Sequence, residues 1–437
     1  MINCPNCGGN LTFDIPSQQL ACKNCQTFLD PYTFDAQTTD AIEESVYDAT
    51  IFTCPQCGGE ILSTDTSAAE FCTFCGASTI LHSRIQKEKR PKYIIPFKKT
   101  KEDCKKAYSQ RMKFAFFAPD ALKNPKYIDS FRGIYIPYWS FHLTQQEAFR
   151  LKGSRTYRRG DYIYTEHFAL HGEIDAYYKG LSYDASSSFD DNISEKLAPF
   201  DVKGMKTFTP GYLSGFYADV ADVPASQYQK EAEHIAFDNS IKKIYSSFPA
   251  LQIDSIADPS LLQTKTESID NTMFPVWFMS YRNGDRVAYS TINGQTGRIV
   301  TDLPIDIKKY LIGSLILAMP IFILLNLFFT VLPTTLLGIS AILALISMIL
   351  YFLEIAKIRK KETVKLKPIG LFASILAIGI WAILFFLTPA SDIFYYGGTI
   401  VALIGVFLTI KDIIAYYNIM ATRKLPQFDR KGGDDRA

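Results

Sequence analysis

Eight of the nine cysteines fall within the first 75 residues as four Cys-x-x-Cys pairs, in two copies of one pattern. Cys4/Cys7 is followed after fourteen residues by Cys22/Cys25, and Cys54/Cys57 after fourteen residues by Cys72/Cys75. The same motif opens both copies, Cys4-Pro5-Asn6-Cys7-Gly8-Gly9 and Cys54-Pro55-Gln56-Cys57-Gly58-Gly59, fifty positions apart. A two-residue gap lets both sulfurs of a pair reach one ion, and two pairs joined by a short hairpin can set four thiolates tetrahedrally around Zn²⁺. Disulfides and a redox Cys-x-x-Cys compete with this reading; repetition of the spacing at both sites favours zinc. The expectation is two structural zinc ions, one on Cys4, Cys7, Cys22 and Cys25, the other on Cys54, Cys57, Cys72 and Cys75. Four thiolates leave no open position for a water, so neither centre is read as catalytic. Cys104, alone among Lys101-Glu102-Asp103-Cys104-Lys105-Lys106, reads as a surface helix cysteine.

The elements that position these thiols are short. Leu11-Thr12-Phe13 and Ile61-Leu62, with the runs into Leu20-Ala21 and Phe71, read as small antiparallel ribbons. The glycine after each first pair tolerates the left-handed backbone of a metal knuckle. About thirty residues bury too little core to fold alone, so the metal must supply folding free energy. The expected organisation is a zinc ribbon at 1–35, an acidic linker at 36–50, a second ribbon at 51–80, a basic linker at 81–91 and a cytoplasmic α+β domain at 92–304. Four transmembrane helices at 310–332, 334–353, 369–387 and 393–410, and a tail at 411–437, complete a multidomain chain.

Charge is segregated beneath a formal net of +2. Residues 1–80 carry ten acidic side chains against Lys23 alone, whereas 81–113 carry twelve Lys and Arg against Glu88, Glu102 and Asp103. From Tyr310 to Leu353 there is no charged residue, roughly 66 Å of helix and enough for two crossings of a ~30 Å hydrocarbon core. Uncharged runs at Ile369–Leu387 and Ile393–Ile410 add two more. Lys357, Arg359, Lys360, Lys361, Lys365 and Lys367 mark the loop between spans two and three as cytoplasmic, and an even number of spans puts both termini on that side of the plasma membrane. Met1-Ile2-Asn3-Cys4 enters the first ribbon directly, with no signal peptide expected, and zinc-binding thiols require the same reducing compartment. The spans hold no ionisable residue in their interiors and read as an anchor.

In the middle region, Tyr93–Phe97 reads as a strand. Lys101–Phe117 reads as a helix with Ala107, Tyr108, Met112 and Phe116 inward. Ile134 to about Tyr183 reads as strand-rich and Gln229–Phe248 as a helix; Phe274–Thr291 reads as a hairpin turning at Asn283-Gly284. Ile136-Pro137-Tyr138-Trp139 and Phe274-Pro275-Val276-Trp277 suggest two related halves. Gly294-Gln295-Thr296-Gly297-Arg298 lacks the spacing and lysine of a phosphate loop. His167 and His171, four apart on a strand, stand about 13 Å from each other, too far to share a metal. No nucleotide loop, triad or open metal site is found, and the chain is read as not an enzyme.

The chain resembles a family of bacterial zinc-ribbon membrane proteins. The resemblance is carried by the tandem Cys-Pro-x-Cys-Gly-Gly motifs, Ile95-Pro96-Phe97-Lys98, Gly133–Trp139, Tyr212-Leu213-Ser214-Gly215-Phe216-Tyr217-Ala218, Pro275-Val276-Trp277 and Asn293–Arg298 followed by Leu303-Pro304. It spans most of the chain. Members are labelled primosomal-helicase-like or transcription-factor-like on their ribbons. The resemblance implies a membrane anchor whose protein partner is flotillin-like or a phage-shock-type envelope-stress protein. The expected function is a cytoplasmic adaptor whose ribbons reach out to a protein, with the lipid bilayer as its second partner. The alternative is a membrane-tethered nucleic-acid-binding protein, against which stands the single basic side chain of the ribbons, since phosphate contacts need Lys and Arg.

Overall fold

The computed structural model describes residues 2–34, 46–63, 72–77, 82–253, 262–328, 331–358 and 368–426. Phe71, most of the acidic linker, the basic loop at 359–367 and the tail beyond 426 lie outside the described residues. The strands are β1 (Leu11–Asp14), β2 (Gln19–Cys22), β3 (Phe28–Leu29), β4 (Val46–Thr53), β5 (Glu60–Ser63), β6 (His82–Lys89), β7 (Tyr93–Ile94), β8 (Arg132–Arg159), β9 (Tyr162–Asp184), β10 (Lys206–Thr207), β11 (Tyr217–Ala218), β12 (Gln252–Ile253), β13 (Lys265–Asn283), β14 (Arg286–Asn293), β15 (Ile299–Thr301) and β16 (Arg423–Lys424). The helices are α1 (Lys101–Lys113), α2 (Pro125–Ile128), α3 (Asp191–Leu197), α4 (Gln229–Ser247), α5 (Ile307–Phe328), α6 (Pro333–Ile358), α7 (Ile369–Leu387) and α8 (Asp392–Met420).

The first ribbon is a three-stranded sheet of its own, β1-β2-β3. The second is not separate. Its strands belong to a 13-stranded sheet that runs β10-β7-β13-β8-β11-β5-β4-β6. Strands also occupy 46–53 and 82–89, where the sequence suggests linkers. They pair antiparallel, Val46 opposite Lys89 and Thr53 opposite His82, in a register that sets Asp48 against Lys87.

The centre of the sheet is β8 against β13, whose residues alternate between two cores. Tyr135, Met273, Trp277 and Met279 join one core with Phe97, Phe216 and α1. Ile134, Ile136, Tyr138, Phe274, Val276 and Phe278 join the other with α3. The two aromatic-proline motifs meet at their first residues, Ile136 opposite Phe274, and their indoles act alike, Trp139 donating to the Val223 carbonyl at 2.7 Å and Trp277 to that of Lys99 at 2.9 Å. The expected hairpin turn at Asn283-Gly284 is present, with Gly284 at φ 64° and Asn283 opposite Arg286. Helix α1 is shorter than expected: a Thr100–Asp103 capping box starts it and Phe114 ends it, so Phe116 leaves the helix period and is 70 % exposed rather than inward. Cys104 is buried, not on the surface, and burial pushes its thiol up to about 12.

Beyond Thr144, where β13 stops, β8 and β9 continue as a long hairpin to Gly160. Helix α4 supports its middle through Phe149, Phe237 and Ile244, and the strand residues from Arg155 to Arg159 and Tyr162 to Ala169 are exposed.

Among the described residues three helices are long and apolar enough to cross a membrane, Pro333–Lys357, Ile369–Leu387 and Asp392–Met420. The first of the four expected spans is helical, as α5. Helix α8 runs ten residues past the expected end at 410. Lys411 and Asp412 do not stop it, because Asp412 accepts the Gly370 N–H at the start of α7 at 2.7 Å. The glycines that weaken helix propensity here serve packing. A Cβ on Gly370 would lie 2.4 Å from the Thr409 backbone, and one on Gly405 3.0 Å from the Ala373 carbonyl. Ser374 and Thr409 hydroxyls meet across this crossing at 2.7 Å, a small-residue interface of the membrane type.

Gly370→Leu should therefore pry α7 from α8 and destabilise the chain by about 1–3 kcal/mol, the usual range for overpacking. Gly379→Leu is the control, because a Cβ there meets nothing within 4 Å. Thermal unfolding in mild detergent reads the difference; equal midpoints for the two variants would contradict the close crossing.

Candidate metal centres

Each Cys-x-x-Cys is folded by the same pair of backbone hydrogen bonds. Cys4 N–H donates to the Gly9 carbonyl at 2.7 Å and Gly8 N–H to that of Cys4 at 2.8 Å; Cys54 with Gly59 and Gly58 repeats this at 2.9 and 2.8 Å. The second knuckles match, Cys22 with Thr27 and Gln26 at 2.9 and 2.9 Å, Cys72 with Ala77 and Gly76 at 2.9 and 3.0 Å. The turn needs a left-handed residue, which Gly8, Gly58 and Gly76 supply at φ 70 to 74° and Gln26 at φ 56°.

The knuckles face one another as the spacing implies. In the first ribbon Cys4 and Cys25 sulfurs stand 3.5 Å apart, as do those of Cys7 and Cys22. In the second, Cys54 and Cys75 are 3.8 Å apart and Cys57 and Cys72 3.7 Å. All four sulfurs of each set lie within 4.8 Å of one another. A tetrahedron with Zn–S bonds of about 2.3 Å has edges of ~3.8 Å, so both sets fit a zinc ion. In the first set the Thr27 hydroxyl, 3.1 Å from Cys25 Sγ, leads the interactions that pull that thiol down to about 6. At Cys7 the Gly9 N–H pulls the same way, but the Cys25 and Cys22 sulfurs outweigh it and hold the thiol up to about 12. A divalent ion would release the remaining protons on binding. Closed Cys₄ sites of this kind hold structure and present no open coordination position.

The two centres differ in surroundings. All four cysteines of the second are buried, whereas Cys7 and Cys25 of the first are exposed. The second set lies in the core that holds Ile134, Phe278 and Tyr289. Its Phe74 ring meets Phe278 edge-on at 6.1 Å. The first ribbon docks on the opposite face. Phe13 N–H donates to the Ser214 carbonyl at 2.9 Å, Gln18 Nε2 to that of Phe97 at 2.8 Å, and the Phe13 ring meets Tyr212 at 5.1 Å. The Tyr212–Ala218 motif is thus the seat of the first ribbon, and Gly215 (φ 85°) makes room for Thr12 there.

Of the other candidates, His167 and His171 lie exposed on β9, four apart as read. Sequence reasoning missed a buried group. Asp270 sits between Lys92 at 2.9 Å and His142 at 3.3 Å, and burial pushes the His142 imidazole down. The three residues are too far apart in sequence to signal one another.

The chain is 28% identical over 310 residues to the uncharacterized protein YdjG of Bacillus subtilis, a stretch covering 70% of this chain and 90% of that protein. No family model matches the chain, and no solved structure matches it.

Metal analysis of the purified full chain should find about two zinc equivalents. Cys7→Ser should lose about one and leave the β-domain protease-resistant, because that centre is half exposed. Cys54→Ser should lose one and also open the domain to protease, because its centre is core. Equal protease sensitivity of the two variants would contradict the unequal burial.

Proposed function

We propose that this chain is a non-enzymatic, multi-pass membrane anchor with two structural zinc ions, whose cytoplasmic domain holds out a protein-binding arm. The expected picture of ribbons reaching out is replaced in this reading, since both ribbons are seated on the sheet. The observation that carries it is the β8–β9 hairpin. Arg132, where β8 begins, is opposite Phe278 near the end of β13, and β13 leads through β14 to β16, which follows α8. The other end of the 28-residue strand β8 lies up to about 90 Å away. Its tip carries exposed Tyr157, Tyr162, Ile163 and Tyr164 beside Arg155, Arg158 and Arg159. Exposed aromatics with Arg are the composition of interaction surfaces.

Support for α5 as a fourth span is parity. Ile305 N–H donates to Asn418 Oδ1 at 2.7 Å, and Asn418 Nδ2 donates back to the Ile305 carbonyl at 2.8 Å. Residue 305 precedes α5 and residue 418 lies in the last turn of α8. Crossings by α6, α7 and α8 alone would put these partners on opposite sides of the bilayer, whereas a crossing by α5 restores them to one side. Among its described side chains, α5 also carries eight large apolar ones more than half exposed, Leu327 at 74 %. The Lys and Arg residues of the sequence between spans two and three support a cytoplasmic location for that side. The family resemblance points to a flotillin-like or phage-shock-type partner in an envelope-stress role. The acidic character of residues 1–80 favours a protein partner over nucleic acid.

Two measurements test this reading. An alkaline phosphatase fusion after Ala437 should be inactive; high activity would overturn the topology. Affinity purification in mild detergent, with nuclease treatment, should recover a protein that Tyr162→Ser/Ile163→Ser/Tyr164→Ser loses while the variant stays in the membrane fraction. Retention by the variant would remove the arm from the function, and nuclease-sensitive recovery would favour the nucleic-acid reading.

A further inference from the structure

The segment that follows α1 places two phenylalanines in the open. Phe114 is 77 % exposed and Phe116 70 %, while the next residue is fastened to the start of α5. The Phe117 ring packs on Tyr310 with centroids 5.4 Å apart. A Cβ on Gly313 would lie 2.8 Å from that ring, so the absence of a side chain there admits it. The Phe117 carbonyl accepts the Asp306 N–H at 2.8 Å. Lys309 Nζ donates to the Ala118 carbonyl at 2.9 Å and also pairs with the Asp120 carboxylate. Ala118 itself is buried. The turn is closed by Ala118 N–H on the Ala115 carbonyl at 3.1 Å. These contacts fasten Phe117 and Ala118 to the start of α5 and leave the Phe114 and Phe116 rings exposed beside it.

We propose that the Phe114–Ala118 loop is a second contact with the bilayer, in which Phe114 and Phe116 enter the interfacial region of the leaflet that α5 enters. This rests on the reading of α5 as a membrane span. The depth follows from the helix. Gly313 lies three residues past Tyr310, the first residue of the uncharged run, about 4–5 Å along the axis. The Phe117 ring against Gly313 therefore lies that far past the first uncharged residue, and Phe116 and Phe114, one and three residues before it in the chain, are the exposed rings nearest the interfacial zone about 5–10 Å into the headgroup and acyl boundary. Charge fits the same occupant. Arg111 and Lys113 precede the loop and Lys308 lies in the first turn of α5, all three exposed, as expected beside anionic headgroups. Lys309 pairs with Ala118 and Asp120 just before the apolar run begins, in keeping with a basic side chain held at the membrane surface.

The test uses the full chain reconstituted in vesicles of phosphatidylcholine and phosphatidylglycerol, with a trace of phosphatidylcholine carrying a diazirine in its acyl chain. After irradiation, peptides are mapped by mass spectrometry. Adducts are expected both on α5 and on the peptide spanning residues 114–118. Phe114→Ser/Phe116→Ser should lose the loop adducts and keep those on α5, which also shows that the variant is folded and inserted. Adducts on α5 without adducts on the loop in the parent chain would overturn this proposal alone. Absence of adducts on α5 would overturn the span reading and the proposal with it. With benzoylphenylalanine placed at position 116 in a second experiment, irradiation that joins two chains rather than chain and lipid would assign the loop to a second copy and likewise overturn it.

Discussion

Between Arg132 and Leu143 the backbone of β8 is paired with β13 from Phe278 back to Thr266, and the side chains of both strands leave that ladder alternately to two sides. Each Cys-x-x-Cys ribbon packs on one of those sides. A ribbon of this size has little core of its own, and the sheet provides what it lacks. On one face Phe13 lies against Tyr212 and Phe216, with Phe97 stacked on Phe216 at 4.5 Å. On the other, Phe74 and the four sulfurs of the second set pack among Ile134, Val276 and Phe278. A bound metal would fix the knuckles, and the sheet fixes the ribbon. That division explains why the eight cysteines, alike in spacing, differ in exposure: the second ribbon contributes strands to the sheet, whereas the first is laid upon it.

What was legible in the sequence was local. The cysteine spacing implied two tetrahedral sets because two residues of separation set the geometry within each pair, and the sulfur distances agree. The long strands, the Asn283-Gly284 turn and helix α4 followed from period and turn chemistry. Contacts between distant segments had no such signal. Gly133 and Gly215 stood out only as motif members; the structure shows that a Cβ on Gly133 would fall 2.4 Å from the Phe216 ring. Residues 81–91 read as a linker because they are basic, and composition does not reveal that β4 lies alongside to pair with them. Phe116 read as inward because it lies four after Met112, a period that holds only while the helix does, and the helix stops at Phe114. The end of α8 was missed for a related reason. Leaving the apolar phase breaks no backbone hydrogen bond, and the helix continues with Tyr416 packed on Tyr351 of α6.

The joint between the apolar helices and the sheet is built from groups far apart in sequence. Arg423, just after α8, holds Asp190 at 3.1 and 3.3 Å through two of its nitrogens and pairs with Asp302; its guanidinium also lies over Tyr289 at 5.2 Å. Arg286 donates to the Ile419 and Thr422 carbonyls at 2.6 and 2.7 Å, and β16 adds its backbone to β14. One guanidinium here faces two carboxylates, and the environment shifts them in opposite directions. Burial raises Asp302 above the usual carboxylate range, against the pull of Arg423. At Asp190 burial also pushes up, but the Arg423 hydrogen bond and charge outweigh it and hold the carboxyl low.

Separating a part-buried ion pair leaves charges without their partners, which costs far more than breaking a surface pair. The helices and the sheet are thus joined by a stiff connection rather than a tether. A flexible tether would let a binding surface sample a wide volume, and its effective concentration near a partner would fall as that volume grew. A stiff joint instead sets the direction of the β8–β9 hairpin relative to the helices, so that a partner on its tip would be held at a set height rather than within a reach. This favours the long hairpin, rather than either ribbon, as the feature that gives the anchored domain its length.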